Sequence, residues 1–369
     1  MTPAITNSPA RFSALDTYRF LAASGVIAYH FENHFRPLLA QPTHVFDRFS
    51  LFVDFFFVLS GFVIMHTYGA RIATWRDYGS FLRKRLARVY PLHLATLAIF
   101  CLIGVSVVAL NIPVRDRSFF DPSLVPANLL LVQAWGITDH AGLNIPSWSI
   151  SAEWFLYLLF PVLALFARRV GAWPMLALAI FIAIAIELVR AGLGLRAIDD
   201  ATFDFGNLRA VAPFLAGMAV CVIVARSHAA RVSWLVAHGV AFAVLALMLT
   251  GAPPLLVVAC FPLLVALLAL AERAEPRSVF TSRVGVMLGD TSFAIYMIHT
   301  LFQVAAVVLA KKLGWTSVPS MIALAFATYA VIVLAGIASF RWFEDPLRRR
   351  LSKPRNAVLR LDPHPSHIG

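Results

Sequence analysis

The chain has 369 residues, of which 60% are hydrophobic and only 14% are charged. A soluble domain is typically about 45–50% apolar and about 25% charged, so this composition excludes an ordinary soluble protein. The apolar residues form long continuous runs without period-two alternation, which predicts transmembrane helices and not a barrel. The net charge of +12 comes from short basic clusters between those runs. Such clusters are typical of membrane-orientation signals, and we expect no nucleic-acid partner.

Ten apolar runs predict an all-α, polytopic membrane protein with about ten transmembrane helices. In chain order they cover residues 15–34, 47–68, 90–111, 149–167, 173–189, 206–225, 234–251, 252–271, 284–310 and 320–343. Most basic residues fall in alternate loops, with the 190–209 loop and Lys311–Lys312 as exceptions. The positive-inside rule then predicts that both termini are cytoplasmic.

The remaining segments are shorter or more polar. Residues 113–148 contain an apolar stretch too short to span, which indicates an interfacial or re-entrant segment on the outer side. Residues 352–369 are polar and Pro-rich, and we expect them to form a loose tail. The sequence thus predicts one membrane domain over residues 1–351 followed by that tail.

The first predicted helix holds two ionisable residues, Arg19 and His30. Their spacing of eleven returns to nearly the same helix face, roughly 16 Å apart along the axis. Both side chains should therefore point into one interior, with Arg19 near the cytoplasmic surface and His30 deep. The alternative is a snorkelling arginine and an ordinary hydrogen-bonded core histidine.

Two carboxylates lie in or near later spans. Asp54 opens the run "VDFFFVLSGF" and is a candidate to orient an imidazole, although it is also placed to cap the start of its helix. Glu153 forms a polar stripe with Ser149 and Tyr157 at four-residue spacing. A buried glutamate needs a partner or a proton, and a structural pair with an arginine is the alternative to a catalytic role.

Polar residues also share a face in "GDTSFAIYMIHTLFQ", where Tyr296 and His299 follow Ser292. A core hydrogen-bond network is the alternative explanation. In the basic segment "FLRKRLARVYP", Arg85 and Arg88 are three residues apart and are candidates to hold a phosphate. A solvated basic loop explains the same spacing.

A metal site is disfavoured by the sequence. The segment "HFENH" contains His30, Glu32 and His34, but lacks the HExxH pattern and places Glu32 away from the face of the histidines. The three cysteines lie inside apolar runs without CxxC spacing. We expect neither a metal nor a permanently bound cofactor.

Six motifs in order resemble the acyltransferase-3 family of membrane O-acyltransferases, over nearly the whole chain. The helix-1 Arg-x10-His, the VDFFFVLSGF run, the R-x-x-R before a proline, W-S-x-x-x-E, S-F-x-x-Y-x-x-H and E-x-P are all present. Their residues here are Arg19 and His30, Val53 to Phe62, Arg85, Arg88 and Pro91, Trp148, Ser149 and Glu153, Ser292, Phe293, Tyr296 and His299, and Glu344 and Pro346.

The resemblance implies transfer of an acyl group, most often acetyl, from acyl-CoA to a hydroxyl of a cell-surface or exported glycan or a lipid-linked sugar. It places the protein among membrane lipids, in the bacterial inner membrane. Arg19, Arg85 and Arg88 would then hold acetyl-CoA, and His30 would be the general base, with Asp54 or Glu153 orienting the base or the acceptor. Tyr296, His299 and Trp148 would contact acceptor or thioester. Direct transfer and a transient acyl-histidine both remain open.

Two other functions compete with this interpretation. A transporter of a polar or anionic solute also carries intramembrane charges, although carriers often show paired halves that are not evident here. Another class of membrane acyltransferase uses a deep His–Asn pair, which does not match the Arg-x10-His opening. Neither the acceptor, the oligomeric state nor the side of the membrane where transfer occurs is fixed by the sequence.

Overall fold

The computed structural model describes residues 11–39, 42–112, 114, 116–195, 197–227 and 231–353, so the predicted tail beyond residue 353 lies outside the described residues. The described part of the chain has α-helices and no β-strand, which confirms the all-α prediction. The α-helices are α1 (Ser13–Phe35), α2 (Phe52–Tyr68), α3 (Trp75–Ala109), α4 (Val125–Leu129), α5 (Trp148–Val170), α6 (Ala172–Gly192), α7 (Gly206–Arg226), α8 (Trp234–Leu249), α9 (Pro254–Ala274), α10 (Arg283–Lys312), α11 (Val318–Ser339) and α12 (Asp345–Leu351).

Each of the ten predicted spans falls on one of the long helices. Among the described residues, eight helical segments are long and apolar enough to cross a membrane. The other two spans are α1, which carries Asp16, Arg19 and Glu32, and α8, which has 16 residues. The protein is a polytopic membrane protein. The side of the membrane that each terminus faces stays a prediction.

The structure corrects the predicted start of the third span. Helix α3 begins at Trp75 and not near Tyr90, because Thr74 and Asp77 form a capping box at its first turn. The basic cluster around Arg85 and Arg88 therefore belongs to a rigid helix that continues through Pro91, and the solvated-loop interpretation is wrong. This rigidity fixes where the two guanidinium groups lie.

The segment between α3 and α5 folds into short helical turns at one end of the bundle. His93 of α3 contacts the carbonyl of Asn128 at 2.9 Å, and Tyr90 donates to the carbonyl of Leu129 at 2.8 Å. Asn144 donates to the carbonyl of Met297 in α10 at 3.1 Å. The segment is thus tied to α3 and α10 by its backbone as well as by apolar contacts.

Helices α2 and α7 form the most extensive contact in the bundle, and glycines make it possible. A Cβ added at Gly61 would lie 2.0 Å from the carbonyl oxygen of Phe214, and one at Gly217 would lie 2.0 Å from that of Val58. Small residues let membrane helices approach closely, where dispersion contacts replace the hydrophobic effect. This contact holds α2, which carries Asp54 and Ser60, at a fixed register against α7.

The start of α1 is capped by a residue from a different helix. Glu272 of α9 accepts from the backbone N–H of Ser13 at 2.8 Å and of Ala14 at 2.9 Å. A carboxylate at a helix N-terminus satisfies otherwise orphaned donors and complements the helix dipole. The cap fixes the axial position of α1 and so the depths of Arg19 and His30.

We expect Gly217→Ala to destabilise the protein by about 1–3 kcal/mol, the usual range for overpacking a well-packed interior. The clash is with backbone, which cannot rotate away. Thermal unfolding of the purified protein in detergent measures the effect, with Gly239→Ala as control because a Cβ at Gly239 meets nothing within 4 Å. Equal melting temperatures for the two variants would contradict the close contact.

Candidate functional site

A cavity of about 580 Å³ opens among α1, α2, α3, α5 and α10. One end is strongly basic and includes the first and third helices at their predicted cytoplasmic ends. Its arginines are Arg11, Arg19, Arg71, Arg85, Arg88 and Arg348. The rest of its wall includes Ser60, Ser149, Glu153, Tyr157 and Tyr296. The structure therefore brings the three predicted donor-binding arginines into one cavity with Glu153 and Tyr296.

Arg85 forms no ion pair with a carboxylate of the described residues. Its guanidinium lies over the rings of Tyr68 and Tyr157, at 5.3 and 6.0 Å from their centroids, and donates to the Tyr68 hydroxyl at 3.3 Å. Its Nε is buried and has no hydrogen-bond partner among the residues that the structure describes. A cation held by two aromatic faces with unused donors is well suited to an anionic ligand.

Arg88 differs from Arg85 because it has an ion-pair partner. Glu344, which is fully buried, contacts Arg88 Nη1 at 2.5 Å. Glu344 ends a π-helical turn, Phe340–Glu344, that joins α11 to α12. The E-x-P motif thus supplies the counter-ion of the R-x-x-R motif, and much of the charge of Arg88 is already neutralised.

A chain of ion pairs connects the residues at the basic end of the cavity. Arg11 bridges Asp16 and Asp290, at 2.5 Å to each, and Arg19 contacts Asp16 at 3.0 Å. These pairs connect α1 to α10 at the rim of the cavity. Arg19 is consequently oriented by a carboxylate one turn before it.

The deep end of the cavity is organised around Glu153. Ser60 of α2 donates to one Glu153 carboxylate oxygen, and the hydroxyl of Tyr157 hydrogen-bonds to the same side chain. No arginine forms an ion pair with Glu153 in the described part of the chain, so the predicted structural alternative is not what the structure shows. The carboxylate faces the cavity.

Tyr296, His299 and His30 form a continuous polar contact that starts at the cavity wall. The hydroxyl of Tyr296 lies 3.0 Å from both Ser149 Oγ and the carbonyl of Pro146. The Nδ1 of His299 contacts the Tyr296 carbonyl at 2.5 Å, and the His299 and His30 ring centroids are 5.0 Å apart. Because a carbonyl only accepts, Nδ1 is the protonated nitrogen. Nε2 is then a buried acceptor that has no partner in the described part of the chain.

His30 retains some accessible surface and lies beyond the wall of the cavity. Its ring neighbours are Tyr29, His34 and His299. Within the described residues, neither Asp54 nor Glu153 hydrogen-bonds to it. His30 is therefore next to His299, an arrangement that the spacing within each helix could not reveal.

Asp54 is bound by an arginine and not by an imidazole. Arg209 of α7 contacts it through Nε at 3.0 Å and Nη2 at 2.5 Å, and both side chains are buried. The guanidinium also lies 5.1 Å from the Trp148 ring and donates to the carbonyl of Asp199. The expected contact between Asp54 and His30 is absent, because the bidentate arginine occupies both carboxylate oxygens.

Arg209 was missed by the sequence reasoning, which counted it among the outer-loop exceptions to the positive-inside rule. Such an exception next to an apolar run is the one signal that marked it as an internal counter-ion. Trp148, a predicted substrate-binding residue, lines a separate small notch and not the large cavity.

Glu32 has a structural role in the connection between α1 and α2. Its carboxylate accepts from the backbone N–H of Val45 at 2.9 Å and Phe46 at 2.8 Å, and from the Thr43 hydroxyl at 2.5 Å.

In the described part of the chain, histidine, cysteine and acidic side chains do not gather into a group of three that could hold a metal ion.

Comparison with known proteins gives two relatives and a family. Acyltransferase MdmB of Streptomyces mycarofaciens is 30% identical over 388 aligned residues, covering 96% of each chain. Protein 2 in the picA locus of Rhizobium radiobacter is 34% identical over 156 residues, covering 39% of this chain and 78% of its own. No solved structure matches the chain. The acyltransferase-3 family model, an acyltransferase domain, matches residues 12–338. The chain therefore belongs to the acyltransferase-3 family and is an acyltransferase.

Proposed function

We propose that the protein transfers an acyl group, acetyl in the first instance, from acyl-CoA to a hydroxyl of a cell-surface or exported glycan or a lipid-linked sugar. The observation that carries the proposal is the single cavity that joins the arginine cluster to Glu153 and Tyr296, with His299 and His30 behind the latter. Both relatives are bacterial, which supports placement in the bacterial inner membrane.

The donor binds at the basic end of this cavity. Coenzyme A carries several phosphates, and guanidinium groups bind phosphate by charge-assisted, bidentate hydrogen bonds. Arg85 is the leading phosphate ligand because it forms no ion pair with the described residues, whereas Arg19 and Arg88 must share their charge with Asp16 and Glu344. The pantetheine arm then extends towards Tyr296.

The chemical step uses His30 as general base. The acceptor oxygen attacks the thioester carbonyl, the C–S bond breaks as the C–O bond forms, and the hydroxyl proton passes to the His30 imidazole. That proton then neutralises the departing thiolate of coenzyme A. His299 lies against His30 and holds it in place. The Tyr296 hydroxyl, which donates to the Pro146 carbonyl, is placed to accept a hydrogen bond from the acceptor.

Glu153 takes part in the reaction, and Asp54 stabilises the helix bundle. Glu153 lies in the cavity beside two hydroxyl groups, where it accepts hydrogen bonds from the acceptor. Asp54 neutralises Arg209 away from the cavity lining. A carrier function is disfavoured since the chain is an acyltransferase family member over residues 12–338.

Replacing His30 by alanine should reduce acyl transfer at least about 100-fold, the lower range for a general base. The rate of acyl transfer is measured with purified protein, labelled acetyl-CoA and the native glycan. His238→Ala is the matched control, because His238 is a membrane-helix histidine that contacts Tyr18 and does not line the cavity. Undiminished transfer by His30→Ala would exclude the base.

Arg85→Ala should raise the KM for acetyl-CoA by about 10- to 100-fold, the effect of losing a hydrogen bond to a charged group. Acetyl-pantetheine lacks the nucleotide phosphates, so its KM should be unchanged. The exposed Arg76→Ala on the same helix is the control. An equal rise in KM for both donors would assign Arg85 a different role.

Glu153→Gln should lower the rate of acyl transfer, whereas Asp54→Asn should lower the stability of the protein. Glu153→Gln should slow transfer at least about tenfold, with little change in melting temperature, because one acceptor group becomes a donor. Asp54→Asn leaves Arg209 buried and unpaired, which typically destabilises by about 3–5 kcal/mol. The double variant Asp54→Leu, Arg209→Met should recover much of that stability. Slow transfer by a fully stable Asp54→Asn protein would contradict this division.

A further inference from the structure

A second, much smaller recess lies at the opposite end of the polar helices. This notch has a volume of about 20 Å³ and is walled by the segment before α5 and by the loop before α7. Gln133, Asn144, Ser147 and Trp148 line it, with His140 at its rim. A volume of that size accommodates one water molecule or one hydroxyl group.

The notch lies well away from the donor arginines. Trp148 is the first residue of α5, and Tyr157, which contacts Arg85, lies nine residues further along the same helix. At 1.5 Å per residue that is roughly 13 Å along the axis. In the proposed function, a ligand in the notch therefore approaches the reacting residues from the end of α5 opposite to the one that coenzyme A occupies.

The polar side chains of the notch are held in fixed positions by other groups. Gln133 donates through Nε2 to the carbonyl and Oγ of Ser147, at 3.2 and 3.1 Å. Asn144 donates to Thr96 Oγ1 and to the Met297 carbonyl, both at 3.1 Å, and accepts from Thr300 at 3.2 Å. These bonds prevent the amides from rotating to find other partners.

One acceptor in this arrangement is left without a donor. Gln133 is 7% exposed, and its Oε1 is buried without a hydrogen-bond partner in the described part of the protein. A buried carbonyl oxygen without a donor is unfavourable by about 1–3 kcal/mol and is uncommon in native proteins. Gln133 is one of the residues that line the notch, and an O–H that reached Oε1 from the notch would satisfy it.

The notch is connected to the reacting residues through two short paths. Trp148 is followed directly by Ser149, whose hydroxyl contacts Tyr296 in the large cavity. Asn144 is bonded to Thr300, the neighbour of His299. Trp148 and Asn144 therefore connect the notch to Ser149 and Thr300, which adjoin the Tyr296–His299–His30 contact.

The rim of the notch carries an ionisable group outside the membrane-spanning helices. His140 contacts Asp139 at 2.6 Å and Asp121 at 3.6 Å. The hydrogen bond with Asp139 raises the pKa of His140 above its ordinary value. The rim is thus polar and hydrated, as suits a carbohydrate and not an acyl chain.

We infer that the notch is the acceptor-recognition subsite, in which Gln133 Oε1 accepts a hydrogen bond from one non-reacting hydroxyl of a sugar. The inference rests on the proposed function, because it assigns the second substrate of the same reaction. A site built around a hydrogen bond to a hydroxyl discriminates strongly against molecules that lack it. Gln133 is accordingly a specificity residue, and Trp148 forms the wall beside it.

The test uses Gln133→Met, which keeps the length of the side chain and removes its acceptor oxygen. Purified protein is given labelled acetyl-CoA and increasing amounts of surface glycan from cells that lack the gene. The half-saturating glycan concentration should rise at least about tenfold, while acetyl-CoA binding stays within about twofold of the unmutated protein. Retained acetyl-CoA binding also shows that the variant is folded.

Gln303→Met is the matched control. Gln303 is a fully buried amide whose Nε2 donates to the Ile27 carbonyl and whose Oε1 also lacks a partner, but it does not line the notch. Its half-saturating glycan concentration should be unchanged.

The outcomes separate the two proposals. Normal glycan saturation by Gln133→Met would mean that the notch holds a water molecule only, and would overturn the inference while the proposed function stands. Weakened acetyl-CoA binding would overturn it as well, by assigning Gln133 to the donor. Absence of labelled glycan with the unmutated protein would overturn the proposed function, and the inference with it.

Discussion

The ion pair between Asp54 and Arg209 shows the constraint on which this structure depends: a charge inside a membrane bundle must be neutralised by another side chain. The pair joins α2 to α7 at the contact that the two glycines bring close, and Arg209 also fixes the loop before α7 through the Asp199 carbonyl. Arg88 obeys the same constraint through Glu344 on the last helical segment. Charge pairing, and not apolar matching alone, therefore fixes the register of the helices.

The polar groups that lack a matching partner are the informative ones. Arg85 has aromatic faces instead of a counter-ion, Glu153 has hydroxyl partners instead of an arginine, and Gln133 has an unused acceptor. A protein that satisfies both oxygens of Asp54 with one arginine has the means to pair these groups too. Their incomplete satisfaction is best explained by ligands: phosphate for Arg85 and hydroxyl groups for the other two.

The sequence predicted the helices well because each apolar run is a local property. Spacing predicted that Arg19 and His30 share a helix face, whereas the grouping of Arg19, Arg85, Arg88, Glu153 and Tyr296 at one site was implied by the family resemblance. It could not predict partners that are distant in the chain. Asp54 and Arg209 are 155 residues apart, and Ser149 and Tyr296 are 147 apart. The late predicted start of α3 was avoidable, since "TWRD" is a recognisable capping box.

The position of His30 depends both on local helix spacing and on contacts with residues distant in the chain. Glu272 caps the start of α1 and thereby fixes the helix along its axis, while the contact with His299 fixes the imidazole against α10. The large cavity is lined by Ser149 and Tyr296, and the notch is lined by Trp148, the residue before Ser149. In the proposed function, His30 receives a charged donor from the basic side and a sugar acceptor from the side of the notch. In that proposal the bundle keeps the two substrates apart except at one imidazole.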